Sequence, residues 1–312
     1  MNLLIGALTI GLILALLGLG VFVTYRIYRT LDLTADGAFG VGAAVVAALL
    51  VRGAPALVAT VVAVMAGMLA GAVTGFLHTR LRVTPLLAGV LTSTALYSVS
   101  LFVMGSGNIS LVSADGFVSV AERLAHRWLG LPPSLTLFDT IVGGGSIASL
   151  GLMLVLAVGT AALLALFLNT EIGTAMRAAG NNPQMARALA IDVNGMVVLG
   201  LCLANGLVAL SGALMAQYEG FANIQMGIGA LVTGLANLLL GEALLGRRTL
   251  GRWIAGAVVG AVAFRLLVGA AIRAGLDPNA LKLVTAAFVL GVLVLPRLLR
   301  RASLPAEAGE RV

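Results

Sequence analysis

From Met1 to Tyr25 the chain carries no charged side chain, and apolar runs of the same kind recur along most of its length. A bilayer's hydrocarbon core is roughly 30 Å thick, which a helix rising about 1.5 Å per residue crosses in about 20 residues. Inside that layer the backbone has no water to bond with, so each run closes its own hydrogen bonds as a helix. The chain therefore reads as an all-α polytopic membrane protein. Composition agrees: 60% of residues are hydrophobic and 10% charged, against roughly 25% charged in soluble domains. So few charges cannot clothe a water-soluble fold of 312 residues. Soluble, disordered and nucleic-acid-binding classes are excluded.

Cutting at charges and polar clusters gives about nine segments: 3–25, 37–51, 56–77, 85–104, 146–168, 195–217, 226–245, 253–272 and 281–296. Shifting the boundaries moves the count between eight and ten. The second segment is short and carries Gly37, Gly40 and Gly42, so a short, tilted or broken span is expected there. With the N-terminus outside, 13 of the basic residues fall on the cytoplasmic side, 5 outside and Arg265 within a span. That bias fixes the orientation and accounts for the +7 formal charge without an anionic partner. The start has no basic n-region and no small-residue cleavage site, so it reads as a retained span. Cys202, the single cysteine, excludes an intrachain disulfide.

Two stretches lie between spans. The outer one, 105–145, is rich in glycine and proline. Within it 117–129 has helical periodicity and either lies along the interface, anchored by Trp128, or packs over the loop. The inner one, 169–194, carries helix signals in order. Asn169 or Thr170 caps a first helix, and Glu171 suits its positive end. Gly180 stops it in a left-handed conformation. Asn182 caps a second helix that starts at Pro183, where a missing N–H costs nothing. Two short helices joined by a sharp turn read as a docking element.

No phosphate-binding loop surrounds Lys282, there is no Cys/His cluster, and His78 and His126 fall at opposite membrane faces. No catalytic group, metal or cofactor is expected. The pairs Gly18/Gly20 and Gly40/Gly42 read as close helix packing. Charges inside spans are costly and face a cavity or a partner. Glu242 and Arg265 are such charges and are candidates to pair. Asp32 and Asp36 read first as caps of the second segment, while Asn205 and Gln217 read as interhelical bonds or path residues. Gln217, Tyr218, Glu219, Asn223 and Gln225 form a polar cluster at the outer mouth.

Three stretches carry a resemblance: Tyr28 to Phe39 (YRTLDLTADGAF), Glu171 to Ile191 around EIGTAMRAAGNNP, and Asn205 to Tyr218. In these the chain resembles the permease subunits of ATP-binding-cassette importers of the branched-chain amino acid and sugar type, closest to the subgroup proposed to carry tryptophan, tyrosine or similar small solutes. The likeness runs from about 3 to 300. It implies one transmembrane permease domain over 1–300 with a cytoplasmic tail at 301–312. It also implies a bacterial inner-membrane location and a cytoplasmic C-terminus. The implied partners are a second permease copy, two ATPase subunits and an extracytoplasmic solute-binding protein. Coupling to the ATPase is implied for Glu171, Gly173, Arg177, Ala179, Gly180, Asn182, Pro183, Ala186 and Arg187. A translocation path or outer mouth is expected at Asp36, Asn205, Gln217, Tyr218, Glu219 and Asn223.

The function expected is the permease subunit of an ATP-driven importer for a small polar solute, an amino acid or relative, and not an enzyme. A self-contained secondary transporter or channel is the alternative. Glycine-rich 37–44 and 226–234 are compatible with broken helices at mid-membrane, but no repeated acidic pair accompanies them.

Overall fold

The computed structural model describes residues 2–129, 134–137, 140–246, 248–275, 280, 283–287 and 290–291. Seven helices are long and apolar enough to cross a membrane. Helix α1 (Asn2–Phe22) widens into a π-helical turn over Val23–Ile27. It is followed by α2 (Thr34–Val51), α3 (Ala56–Thr79) and α4 (Pro85–Met104). Helix α5 (Phe117–Leu129) precedes α6 (Gly144–Leu168), and the short pair α7 (Glu171–Asn181) and α8 (Pro183–Ala188) precedes α9 (Val193–Glu219). Helices α10 (Ala230–Leu245) and α11 (Leu250–Arg273) follow. The expected count of nine becomes seven long spans and one shorter apolar helix, α10, among the described residues. Most of the ninth segment, 281–296, lies outside those residues, as do Lys282, the tail 301–312 and the side chains of His126 and Trp128.

Helix α9 is the axis of the bundle, packing against α1, α2 and α3. Glycine makes the approach possible. A Cβ at Gly42 or Gly67 would run into Ala209, one at Gly71 into Leu201, and one at Gly20 into the Ala204 carbonyl. In each of the two expected packing pairs it is the second glycine, Gly20 or Gly42, that the fit demands. In lipid, where apolar surface gains little by leaving its surroundings, such backbone proximity is what holds helices together.

The second segment is one unbroken helix of 18 residues, yet it starts deep in the bundle. Asp32, just ahead of it, bonds to Asn205 near the middle of α9. Helix α10 also starts deep, with Ala230 and Leu231 packed on Leu14 and Leu17 of α1. The chain between α9 and α10 re-enters along α2, where a Cβ at Gly227 would strike the Asp36 carbonyl. The two glycine-rich stretches thus meet. Non-helical backbone at this depth persists because protein covers it.

The 105–145 stretch is more structured than a glycine- and proline-rich loop suggests. β1 (Asn108–Ser110) pairs antiparallel with β4 (Phe221–Asn223), and β2 (Ser134–Leu137) with β3 (Thr140–Gly143). Helix α5 packs on α6 and α9. The β1–β4 sheet and the α7–α8 pair mark opposite ends of the bundle.

Candidate functional site

The α7–α8 pair is built by local signals. Thr170 Oγ1 accepts from Gly173 N at 3.3 Å, and Asn182 Oδ1 accepts from Met185 N at 3.0 Å. Pro183 opens α8. Gly180, however, does not end α7 in a left-handed conformation: the helix continues through Asn181, and Gly180 is absent from the positive-φ glycines. Its requirement is steric, since a Cβ there would strike the Ile27 carbonyl. Gly173 is likewise pressed on the end of α6 at Phe167 and Leu168. Ala179 and Ala186 are buried together with Val193. The outward side carries Glu171, Asn182 and Arg187 together with three large apolar side chains, Ile172, Met185 and Leu189, the last 64% exposed. Arg177 bonds Thr174 at 3.2 Å, and its Nε finds no partner among the described residues.

This pair grips the segment between α1 and α2. Besides the Gly180–Ile27 contact, Arg29 donates to Asn181 Oδ1 at 2.9 Å. Tyr28 donates its hydroxyl to the Met196 carbonyl and lies on Gly200 of α9. Burial pushes the Tyr28 phenol above its ordinary range, so it is a neutral donor. One turn earlier Arg26 makes a two-bond ion pair with Glu242 of α10. The expected Glu242–Arg265 pair is therefore replaced. Glu242 lies near the α7–α8 end, where the π-turn brings Arg26 to it, and Arg265 lies about two-thirds of the way along α11, beside Gly11. A cavity of about 820 Å³ opens at this end between α3, α8 and α9, with Asp32, His78, Gly180 and Arg187 among its walls.

At mid-depth the two aspartates part company. Asp32 Oδ1 accepts from Thr34 N, the first amide of α2, at 2.9 Å, although Leu33 is the N-cap residue, and Oδ2 accepts from Asn205 Nδ2 at 2.8 Å. Asp36 sits on α2 but caps α10 instead, accepting from Leu231 N at 2.8 Å and Gly229 N at 3.2 Å. A carboxylate there suits the positive end of that helix dipole.

Toward the β1–β4 end, Gln217 is buried. It donates to Thr60 Oγ1 at 3.0 Å and to the Ala213 carbonyl, and accepts from Phe117 N at 2.9 Å, pinning the start of α5. Asn223 pairs with Asn108 in the sheet and accepts from Gln225 N. Tyr218 approaches Gly6 of α1. Glu219 and Arg265 line a cavity of about 370 Å³. The structure thus separates the expected mouth cluster into a packing residue, a sheet residue and a cavity wall.

Sequence reading passed over Arg26 and Tyr28 as site residues. Their signal was an arginine and a tyrosine set just where an uncharged run ends.

Residues 3–295 match the family model described as branched-chain amino acid transport system / permease component. A tyrosine transport system permease protein of Clostridioides difficile is 36% identical over 93% of this chain and 90% of its own. An uncharacterized protein of Rickettsia prowazekii is 31% identical, covering 91% and 94%. An autoinducer 2 import system permease protein of Yersinia pseudotuberculosis is 27% identical, covering 93% and 76%. No solved structure matches. A family match over nearly the whole chain, with spans and a capped helix pair between them, settles the class: the chain belongs to the branched-chain amino acid transport system permease family and is the non-catalytic membrane component of an ATP-binding-cassette importer for a small solute, with the ATPase in another subunit.

Proposed function

We propose that α7–α8 is the cytoplasmic dock for the ATPase and that the 26–29 segment passes its movement to α10. The observation that carries this reading is the two-sided character of α7–α8. One side is wedged on Ile27 and the end of α6, while the other presents Ile172, Met185 and Leu189 beside Glu171 and Arg187. Apolar side chains on a capped element outside the spans suit a protein cleft. Gly173, Ala179, Gly180 and Ala186 hold the element's shape behind that face, and Asn182 and Pro183 start α8 at its exposed edge.

In this reading two permeases and two ATPases assemble in a bacterial inner membrane, with the C-terminus cytoplasmic. An extracytoplasmic binding protein delivers solute at the β1–β4 end. The solute is an amino acid, the class named for the Clostridioides difficile relative. Asp36, Asn205, Gln217, Tyr218, Glu219 and Asn223 follow the route from that end to mid-depth.

Sidedness and contact test it together. In intact cells Gln184→Cys should react only with membrane-permeant thiol reagents, and Val112→Cys, at an 88% exposed position, with impermeant ones. Met185→Cys should cross-link to the ATPase subunit. Labelling of both positions from one side, or an ATPase that cross-links to Val112→Cys instead, would overturn the dock.

A further inference from the structure

Arg265 and Glu219 are the two charges that the packing contacts above leave over. They face a shared cavity of about 370 Å³, within the roughly 300–1,000 Å³ typical of small-molecule pockets. Among the described residues neither makes a hydrogen bond or an ion pair within 4.0 Å. Arg265 lies against Gly11, and Tyr218 approaches Gly6, while the neighbouring Glu219 is an exposed residue at the end of α9. These α1 positions put the charges at the end of the cavity nearer β4. Leu14 and Leu17, one to two turns further along α1, line the deeper part with Phe39 and Met215. Charges within spans face a partner or a path, and among the described residues these two have only each other as opposite charges, with no direct ion pair between them. A lone cation would answer only Glu219, and a lone anion only Arg265.

Resting on the importer reading above, we propose that this cavity is a transit subsite for a zwitterion: an α-amino acid whose carboxylate meets Arg265, whose ammonium meets Glu219, and whose apolar side chain lies against Leu14, Leu17 and Phe39. The guanidinium fork suits a carboxylate. The apolar wall favours aliphatic or aromatic side chains over charged ones.

The test is ATP-driven uptake by vesicles holding permease, ATPase and solute-binding protein, offered each of the twenty common L-amino acids in labelled form. The best of them is then compared with its decarboxylated amine and its deaminated acid. The zwitterion should exceed both analogues at least tenfold. At saturating solute, Arg265→Gln and Glu219→Gln should each lose at least tenfold in rate, with Arg265→Lys retaining more than Arg265→Gln. Subunit co-purification serves as the control for assembly. Glu219 stands at the end of α9, so its variant decides the matter even where Arg265→Gln accumulates poorly. Wild-type rates in both Gln variants, or equal uptake of zwitterion and singly charged analogues, would overturn the subsite. ATP-driven uptake of a neutral solute and of no amino acid would overturn it while leaving the importer reading intact. Uptake that needs no ATPase would bring down the importer reading alone.

Discussion

The two ends of the bundle are held by different means. At the α7–α8 end, glycine brings α7 onto the Ile27 backbone and a partly buried two-bond ion pair ties Arg26 to α10. At the β1–β4 end a three-residue strand pair, the Gln217 hydrogen bonds and an exposed Arg123–Asp115 pair do the joining. A contact that can neither compress nor slide passes on a displacement, whereas a short solvent-facing sheet yields to one. On the proposed reading, force transmission belongs to the first end and adaptable reception to the second.

Removing Arg26 should have the largest effect on the fold. Arg26→Leu takes a two-bond cation partner from a buried carboxylate, a change worth at most about 3–5 kcal/mol. It should sharply lower the folded fraction in detergent thermal unfolding. Arg265→Leu should cost the fold less, since Arg265 has no contacting ion partner among the described residues. Equal losses in the two variants would erase the distinction between a structural and a path charge.

Gly180→Val forces a branched side chain against the Ile27 backbone. Overpacking of this kind costs about 1–3 kcal/mol, and the unfolding midpoint should fall accordingly. Gln217→Leu, at the other end, strips the Phe117 and Thr60 bonds. Leaving buried groups unsatisfied costs about 1–3 kcal/mol, and the loss should show as faster hydrogen exchange confined to α5. Exchange rising instead throughout α7–α8 would contradict the separation of the two ends.

The smallest effect belongs to Asp115. Arg123 holds its carboxyl below the ordinary value of 3.8. With a folded pKa below the unfolded one, its contribution is present above about pH 3.8 and is lost as pH falls through the lower folded value. Asp115→Asn should lower neutral-pH stability only slightly, because the pair is exposed, and should remove the acid-dependent part. As a fully open pair it should also fade with salt.

What the sequence made legible is what depends on neighbours along the chain. Thr170, Asn182 and Pro183 cap and start helices within three residues of their partners, so their roles could be read directly. So could the bounds of α5, from periodicity alone. Helix-to-helix register is a different matter. Glu242 finds Arg26 216 positions away, and nothing in spacing says which buried charge faces which. Asp36 looked like a cap of its own helix because the helix it does cap is remote in sequence. Gly180 was recognised as required, but for conformational freedom, when the cause is the closeness of Ile27. Strands of three residues, such as β1 and β4, are too short to show an alternating pattern.

The central claim is that the α7–α8 end transmits the ATPase's work, and Gly180→Ala in vesicles with the ATPase and binding protein addresses it most directly. Its single added methyl meets the Ile27 carbonyl but leaves the outward face of α7–α8 unchanged. The account predicts that the ATPase still co-purifies while ATP-driven uptake falls at least tenfold. Uptake at the wild-type rate with the ATPase bound, or uptake persisting without any ATPase, would contradict it.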